Sequence, residues 1–350
     1  MASKLYLELF KPSQYDAWDD LVDRSPQGTM FHKSWWLKHI ANHLNTNLHF
    51  LGIFREDELV GGCSIYEEKK FCFKLAFSPP INSATPYGGI IAVSNAKNVK
   101  KDESLNKSII ESVSEYCLEH YDYSQILNSP TFVDVRPFIW NGWGASIRYT
   151  YLLCLKDFSS SKDLAMHYDG SVRWSINKAD KNSVSVNVVN DSAELIYDLL
   201  AESYVWHRQD VPISKELLTM LLKELKSRGI CKTYFAFHND RPISFGVFLF
   251  YNNTAYYWLG GSRRETSSLE GPSAVLGHAL ADALTDNISF IDFVGANTPS
   301  IAKFKSAFNP VIYPYYLVEH VSLRAHIAKE IYSSLRRYPK NRSHEGEIPS

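Results

Sequence analysis

Apolar and polar positions along the chain follow a period-two pattern and then a period-3.6 pattern, in a succession that occurs twice. Residues 50–64 (Phe-Leu-Gly-Ile-Phe-Arg-Glu-Asp-Glu-Leu-Val-Gly-Gly-Cys-Ser) predict strand, tight turn, strand. Residues 233–248 (Thr-Tyr-Phe-Ala-Phe-His-Asn-Asp-Arg-Pro-Ile-Ser-Phe-Gly-Val-Phe) predict the same. In each, an apolar run breaks at a polar pair, Glu56-Asp57 or Asn239-Asp240, and resumes in β-forming residues. Each hairpin leads to a further strand and a Gly-Gly pair, Tyr87-Gly88-Gly89 and Leu259-Gly260-Gly261, and then to a long helix. The first helix is expected over about Asp102–His120, with Ile109, Ile110, Val113, Tyr116 and Cys117 on one face; the second starts at Pro272 and carries Val275, Leu276, Ala279, Leu280 and Leu284. A strand follows each, at Gln125–Leu127 and Ile288–Phe293.

The copies span about 45–155 and 190–320 and meet at a polar joint, Lys156 to Asp163. Two further helices, Ala193–His207 and Ser214–Arg228, introduce the second copy; the latter ends at Gly229, a good C-terminal cap. The pattern predicts two α/β lobes with mixed sheets, residues 1–160 and 161–320, side by side around a cleft. Residues 321–350 follow as a basic helix and polar tail, with six Lys or Arg against three Glu.

Length and composition agree with this division. A chain of 350 residues suits two domains, and 45% hydrophobic with 14% aromatic residues describes large cores. The net charge of −1 excludes a wholesale polyanion binder and leaves room for a local basic patch. No stretch approaches the roughly 18 apolar residues of a membrane helix, and Met1 to Leu5 leads into an alternating segment rather than a secretory signal. Five scattered cysteines, with no C-x-x-C spacing, fit reduced thiols. A cytoplasmic location is expected.

Helix, helix, hairpin, strand, Gly-Gly, helix, strand is the order of the GNAT acyltransferase fold, and two copies in one chain resemble the FemAB family. Four segments carry the resemblance. They are Pro86-Tyr87-Gly88-Gly89; Arg173 to Lys181, similar to that family's R-x-x-I-x-K-A-x-K segment; Tyr257 to Ser262 followed by Glu270-Gly271-Pro272; and Asp292 to Ala296 followed by Phe304 to Phe308. They stand in order over about 290 residues. The resemblance implies two tandem GNAT lobes and transfer of amino acids from aminoacyl-tRNA to peptidoglycan precursors. Two departures are visible: only Gln209–Ile213 separates the helices where some members carry a long helical hairpin, and the segment from Ser262 to Gly271 is longer and poorer in glycine than the pyrophosphate loop of acetyl-CoA enzymes.

Acyl transfer needs an amine held against an activated carbonyl, with positive charge or N–H donors where the oxyanion develops. The resemblance points to Lys305, in the Phe304-Lys305 pair, as such a stabiliser; in the sequence it lies on a short helix opened by Thr298-Pro299. Asp292, after a buried-looking strand, is the candidate base, and a structural aspartate is the competing reading. Arg173, Lys178 and Lys181 form a candidate anion site for a nucleotide or tRNA end; ordinary charges on a surface helix are the alternative. Tyr87, Gly88 and Gly89, with Tyr257 and Trp258, are candidates for substrate contact or for a splayed sheet. Gly260, Gly261, Arg263, Arg264, Gly271 and Ser273 are candidates for the donor, the last two at a helix N-terminus.

Rival chemistries are thinly represented. His39 and His43 share a helical spacing but lack a third ligand, Trp35 and Trp36 read as core, and His207 to Asp210 read as a helix end. Three functions remain. The first is aminoacyl-tRNA-dependent transfer to a nucleotide-sugar or lipid-linked cell-surface precursor, with no bound cofactor or metal and the tRNA acceptor end as partner. The second is acyl-CoA-dependent N-acylation of an amino sugar, and the third a non-catalytic binding protein.

Overall fold

The two hairpins form where alternating apolar runs meet residues tolerant of left-handed backbone: Glu56 turns at φ 54°, and Asn239 and Asp240 at φ 50° and 58°. A computed structural model describes residues 5–93, 98–189, 192–206 and 210–327. The first lobe runs β1 (Leu5–Leu9), α1 (Tyr15–Arg24), α2 (Ser34–Leu44), β2 (Asn47–Arg55), β3 (Glu58–Lys70), β4 (Phe73–Ser78), β5 (Ile90–Ala92), α3 (Val99–His120), β6 (Tyr123–Leu127), α4 (Arg136–Trp140) and β7 (Gly144–Cys154). Helices α5 (Ser161–His167) and α6 (Gly170–Lys181) lead to β8 (Ser185–Val188), α7 (Ala193–Trp206), α8 (Lys215–Ser227), β9 (Cys231–His238), β10 (Arg241–Tyr251) and β11 (Thr254–Ser262). The chain continues through α9 (Gly271–Thr285), β12 (Phe290–Asp292), α10 (Pro299–Ser306) and β13 (Val311–Val321).

Helix α3 starts three residues earlier than the apolar stripe predicts, because Asn98 caps it by accepting a hydrogen bond from the Lys100 N–H at 2.9 Å. The expected end of α7 at His207 and the expected C-terminal helix and tail beyond residue 327 lie outside the described residues. No helix among the described residues is long and apolar enough to cross a membrane.

The lobes share one sheet, in the order β1-β2-β3-β4-β6-β13-β7-β12-β11-β10-β9-β8. Strand β13 does not close the second lobe against β12, as its place in the sequence suggests. It lies between β6 and β7, while β7 of the first lobe lies between β13 and β12. Each lobe therefore lends its last strand to the other. The register is symmetric: Val311 faces Leu152, Glu319 faces Gly144 and Arg148 faces Tyr315, so a pseudo-twofold axis passes between Arg148 and Tyr315. The outer pairings obey the same symmetry, since Asp292 faces Leu152 as Gln125 faces Glu319.

Three cores hold the sheet. One lies under the first lobe with α3, around Ile109, Ile110 and Val113, and another under the second with α9, around Val275, Leu276 and Leu280. The third lies between lobes, where Trp36 and Trp258 meet edge-on at 5.5 Å and Phe31 meets Tyr256 at 5.5 Å. Within it the Trp258 indole donates to the Ala84 carbonyl at 2.6 Å, so the interlobe contact is fixed in direction as well as packed.

The Gly-Gly pairs occupy different places in the two lobes. Gly260 and Gly261 lie inside β11, whereas Gly88 and Gly89 follow a nine-residue excursion from the end of β4, and Gly88 bridges to Asn128. His32 anchors that excursion: its Nε2 donates to the Gly88 carbonyl at 2.8 Å, and its Nδ1 accepts from the Thr29 N–H at 3.2 Å. Burial pulls His32 down from 6.5 to about 4, against the backbone bonds, which raise it. The folded value lies below the unfolded one, so the unfolded chain takes up the proton first as pH falls. This contribution is whole above 6.5 and lost between 6.5 and 4. Urea unfolding at pH 7 and pH 4.5 should show a loss approaching roughly 3 kcal/mol at low pH, and His32→Gln should flatten that dependence.

Candidate functional site

Strands β11 and β12 pair in parallel only from Thr254–Tyr256 against Phe290–Asp292. Beyond Tyr256 they separate, and β11 carries an irregularity where Val247 faces Leu259 but Phe248 faces Tyr257. The gap is a cavity of about 580 Å³, walled by Tyr257 to Ser262, by Val294 and Gly295, by Phe304 and Lys305 of α10, and by Tyr204 of α7. On the β10 side the Arg263 N–H donates to Ile243 at 2.9 Å, so by antiparallel alternation Gly261 and Leu259 form bonded pairs with β10. The N–H groups of Gly260 and Ser262 are left facing the gap.

The floor is made by Lys305. Its ammonium donates to three successive carbonyls, Phe293 at 2.6 Å, Val294 at 2.9 Å and Gly295 at 2.9 Å, and stands 5.5 Å from the Tyr257 ring centre. The chain permits this because Val294 and Gly295 both take positive φ, 52° and 79°, turning their carbonyls inward. Asp292 lies behind. It accepts from Tyr87 Oη at 2.9 Å, Thr150 Oγ1 at 2.7 Å and the Val294 N–H at 2.8 Å. Burial raises the Asp292 pKa, opposed by these donors and by the charge of Lys305. Burial likewise lowers Lys305 to about 8, opposed by Asp292. The network spans both lobes: Tyr87 comes from the first, Thr150 from the exchanged strand and Lys305 from the second.

Pseudo-symmetry shows why the pocket belongs to the second lobe. In the first, Gln125 takes the place in the register that Asp292 takes in the second, and Phe138, fully buried on α4, is as far along the chain from Gln125 as Lys305 is from Asp292. The corresponding gap is filled by the chain itself: Tyr87 is buried, the Gly89 N–H donates to Ser78 Oγ at 2.9 Å, and the Ile90 N–H donates to Asn128 Oδ1 at 3.0 Å. Gly89 (φ +86°) has no room for a side chain, since a Cβ would stand 2.4 Å from Asn128 Oδ1.

Tyr257, Trp258, Gly260, Gly261, Phe304 and Lys305 thus come together at one pocket, with Asp292 behind it. Tyr87 joins them through Asp292, while Gly88 and Gly89 hold the first-lobe plug. Arg173 caps its own neighbourhood by donating to the Met166 carbonyl at 3.1 Å and to the Tyr168 carbonyl, and Lys178 pairs with Glu270 at 3.1 Å. Lys181 is exposed on the same helix, α6, which packs on α9 away from the pocket lining. Arg263 is bound to Glu202 at 2.7 Å and to the Pro242 carbonyl at 3.0 Å, and Arg264 stacks over Trp206 at 5.6 Å. Gly271 lets α9 approach β10, where a Cβ would stand 3.0 Å from Ser244, and the Ser273 N–H is spent on Glu270 at 3.1 Å. His43 donates to or accepts from Ser214 at 2.9 Å between the lobes.

Thr150, Tyr204, Asn297 and Ile301 were not legible as site residues. Thr150 lies between Tyr149 and Tyr151 in a strand run with no local sign of its partner, which is supplied only by the strand exchange. Tyr204 lies on the apolar stripe of its helix and reads as core.

Residues 170–306, from the start of α6 to the end of α10, match the model of the acetyltransferase (GNAT) domain family. No curated protein matches the sequence. Among solved structures, FemX superposes with a TM-score of 0.68 at 11% identity, over 95% of this chain and 100% of FemX. The C-terminal DUF2156 domain of a putative lysylphosphatidylglycerol synthetase from Agrobacterium fabrum gives 0.57 at 12%, over 92% and 96%. A tandem GNAT protein from the clavulanic acid biosynthesis pathway gives 0.50 at 10%, over 91% and 98%. A match to the GNAT domain family therefore covers residues 170–306, around the pocket, and the chain shares its fold end to end with FemX.

Proposed function

We propose that this protein transfers an aminoacyl group from aminoacyl-tRNA to an amine of a cell-surface precursor. The observation that carries the reading is the gap between β11 and β12, with an N–H row on one wall and a locked cation in its floor. An ester carbonyl lying along Leu259–Ser262 would point its oxygen at the Gly260 N–H. Attack by the acceptor amine forms the C–N bond; the oxyanion takes the N–H bond as charge develops, and the C–O bond to the tRNA ribose breaks, with the amine proton leaving to solvent or to the departing hydroxyl. No enzyme nucleophile is required. Lys305 acts on this step through the backbone: all its protons are committed, so it holds the Phe293–Gly295 wall in shape.

Support for a tRNA donor comes from the α9 entrance. The arginines there are bound to Glu202 and stacked on Trp206, and the glycine-rich turn that receives the pyrophosphate of coenzyme A is replaced by a longer loop. One feature favours the acyl-CoA reading: Pro272, in the first turn of the fifteen-residue helix α9, lines the pocket, and a helix N-terminus favours an anion.

Purified protein incubated with charged tRNAs or an acyl-CoA panel, plus nucleotide-sugar and lipid-linked acceptors, decides between these when read by mass spectrometry. The expected result is a mass gain that needs charged tRNA and disappears in Ile301→Trp, which fills the pocket from the surface of α10. A gain from acyl-CoA alone overturns the donor, and no gain from either favours a binding protein.

A further inference from the structure

Among the described residues four hairpins close on two-residue turns: Glu56-Asp57, Phe71-Cys72, Asn239-Asp240 and Asn252-Asn253. The first residue of each takes positive φ, 54°, 56°, 50° and 45° in chain order. Three of the four place a polar residue there. The β3–β4 turn places Phe71, although a bulky side chain is poorly tolerated in that backbone and glycine is favoured. The fold does not cover the ring, which is 95% exposed.

The stem below this ring is basic. Lys69 and Lys74 face each other directly across the strands, both exposed, and Lys70 is exposed beside them. Like charges in such a pair repel, and among the described residues no ion pair engages any of the three lysines. The acids nearby lie lower or are committed. Glu68 stands further down the stem opposite Leu75, and Glu67 lies 3.8 Å from His49. Asp122 accepts from the Lys74 N–H at 3.0 Å and stands 3.9 Å from the Arg324 guanidinium.

More apolar surface stands next to the hairpin. Residues 323–327 are helical, and Arg324 ties them to it by donating to the Cys72 carbonyl at 2.7 Å and lying over the Phe73 ring at 5.1 Å. Leu323 and Ile327 are four residues apart, hence on one side of this turn, and are 75% and 50% exposed. Uncovered apolar side chains beside uncompensated cations suit a surface that is anionic on top and apolar beneath. A nucleic acid would use the lysines and stack a base on Phe71, but it has no use for aliphatic Leu323 and Ile327.

We infer that the β3–β4 hairpin, with the turn 323–327 beside it, docks this protein on an anionic lipid bilayer. Phe71 enters the interfacial layer, while Lys69, Lys70 and Lys74 keep their stems along it and meet the lipid phosphates. So few apolar groups give a reversible attachment that needs the charges as well. The inference stands apart from the acyl-transfer reading, since the hairpin contributes nothing to the pocket lining.

The test sediments the full-length protein with vesicles of phosphatidylcholine alone, or of phosphatidylcholine mixed with phosphatidylglycerol, at low and high salt. Binding is expected only with phosphatidylglycerol present, and it should fall as salt screens the charges. Phe71→Gly should weaken it about tenfold or more. Because glycine suits the positive φ, a urea midpoint at or above that of the parent separates this loss from unfolding. Lys69→Gln combined with Lys74→Gln should also weaken binding about tenfold. Trp140→Ser is the control: this ring is 63% exposed on α4 beneath Lys107 and Arg136, and its loss should leave vesicle binding intact. Equal binding to both lipids, binding to neither, parent-like binding by Phe71→Gly or an equal loss in Trp140→Ser each overturns the inference. A hairpin that ignores vesicles but whose Phe71→Gly variant loses affinity for tRNA also overturns it, in favour of a nucleic-acid surface.

Discussion

Lys305→Met is expected to lower stability by about 3 kcal/mol and to abolish transfer, although methionine fills nearly the same volume. The substitution leaves the carbonyls of Phe293, Val294 and Gly295 turned inward without the Lys305 ammonium as donor, and leaves Asp292 without the positive charge of Lys305. Val294 and Gly295 hold positive φ because the ammonium gathers their carbonyls; without it the wall relaxes toward ordinary backbone and the gap changes shape. Urea midpoints and transfer rates measured on the same preparation test both halves. A fully active, equally stable variant would exclude this role for the ammonium.

The pH profile offers a check that a purely steric role would not produce. Lys305 is depressed to about 8 from 10.5, so activity that depends on the cation should fall as pH rises through about 8. Stability should move the other way on this account. Between 8 and 10.5 the unfolded chain binds more protons at this site than the folded one, so the contribution of Lys305 becomes less unfavourable as pH rises. Activity and stability drifting apart above pH 8, with the divergence absent in Lys305→Met, is the expected signature.

Gly260→Ala should reduce transfer by about 10²-fold with the fold retained, from one added methyl group. A Cβ at Gly260 would stand 2.0 Å from the Tyr257 hydroxyl, which must therefore move. The Tyr257 ring stacks on Phe248 at 5.0 Å and lies against Lys305, so its displacement shifts the pocket floor and the strand whose N–H faces the donor. Gly144→Ala is the matched control: its Cβ would meet nothing closer than 3.7 Å, and the change should leave activity intact. Comparing kcat/KM for both variants with the parent protein, alongside circular dichroism to verify folding, measures the effect. Parent-like kcat/KM in Gly260→Ala would mean that the wall tolerates movement and that the N–H is not aimed at the reacting carbonyl.

Much of the architecture was readable from local chemistry. The turn pairs at Glu56-Asp57 and Asn239-Asp240, the apolar stripes of α3, α8 and α9, and the repeated order of elements each express short-range rules: φ tolerance at turns, 3.6-residue periodicity and caps. The short helix carrying Phe304 and Lys305 was likewise visible from Thr298-Pro299. Boundaries moved where a single side chain intervened, as when Asn98 extended α3 toward the N-terminus.

What the tertiary structure alone decided is the traffic between lobes and the state of the charges. A strand's own residues specify its alternation but not its neighbours, so nothing in Gly144–Cys154 or Val311–Val321 announces that the two exchange places across a pseudo-twofold axis. That exchange delivers Thr150 to Asp292. The charge patterns were similarly silent. Arg173, Lys178 and Arg263 look free in a linear sequence, yet each is committed to a local carbonyl or carboxylate, whereas Lys305 is buried in a ring of carbonyls. A side chain's charge is set by its residue type, but its availability depends on distances to groups far away in the chain, and those exist only once the sheet has closed.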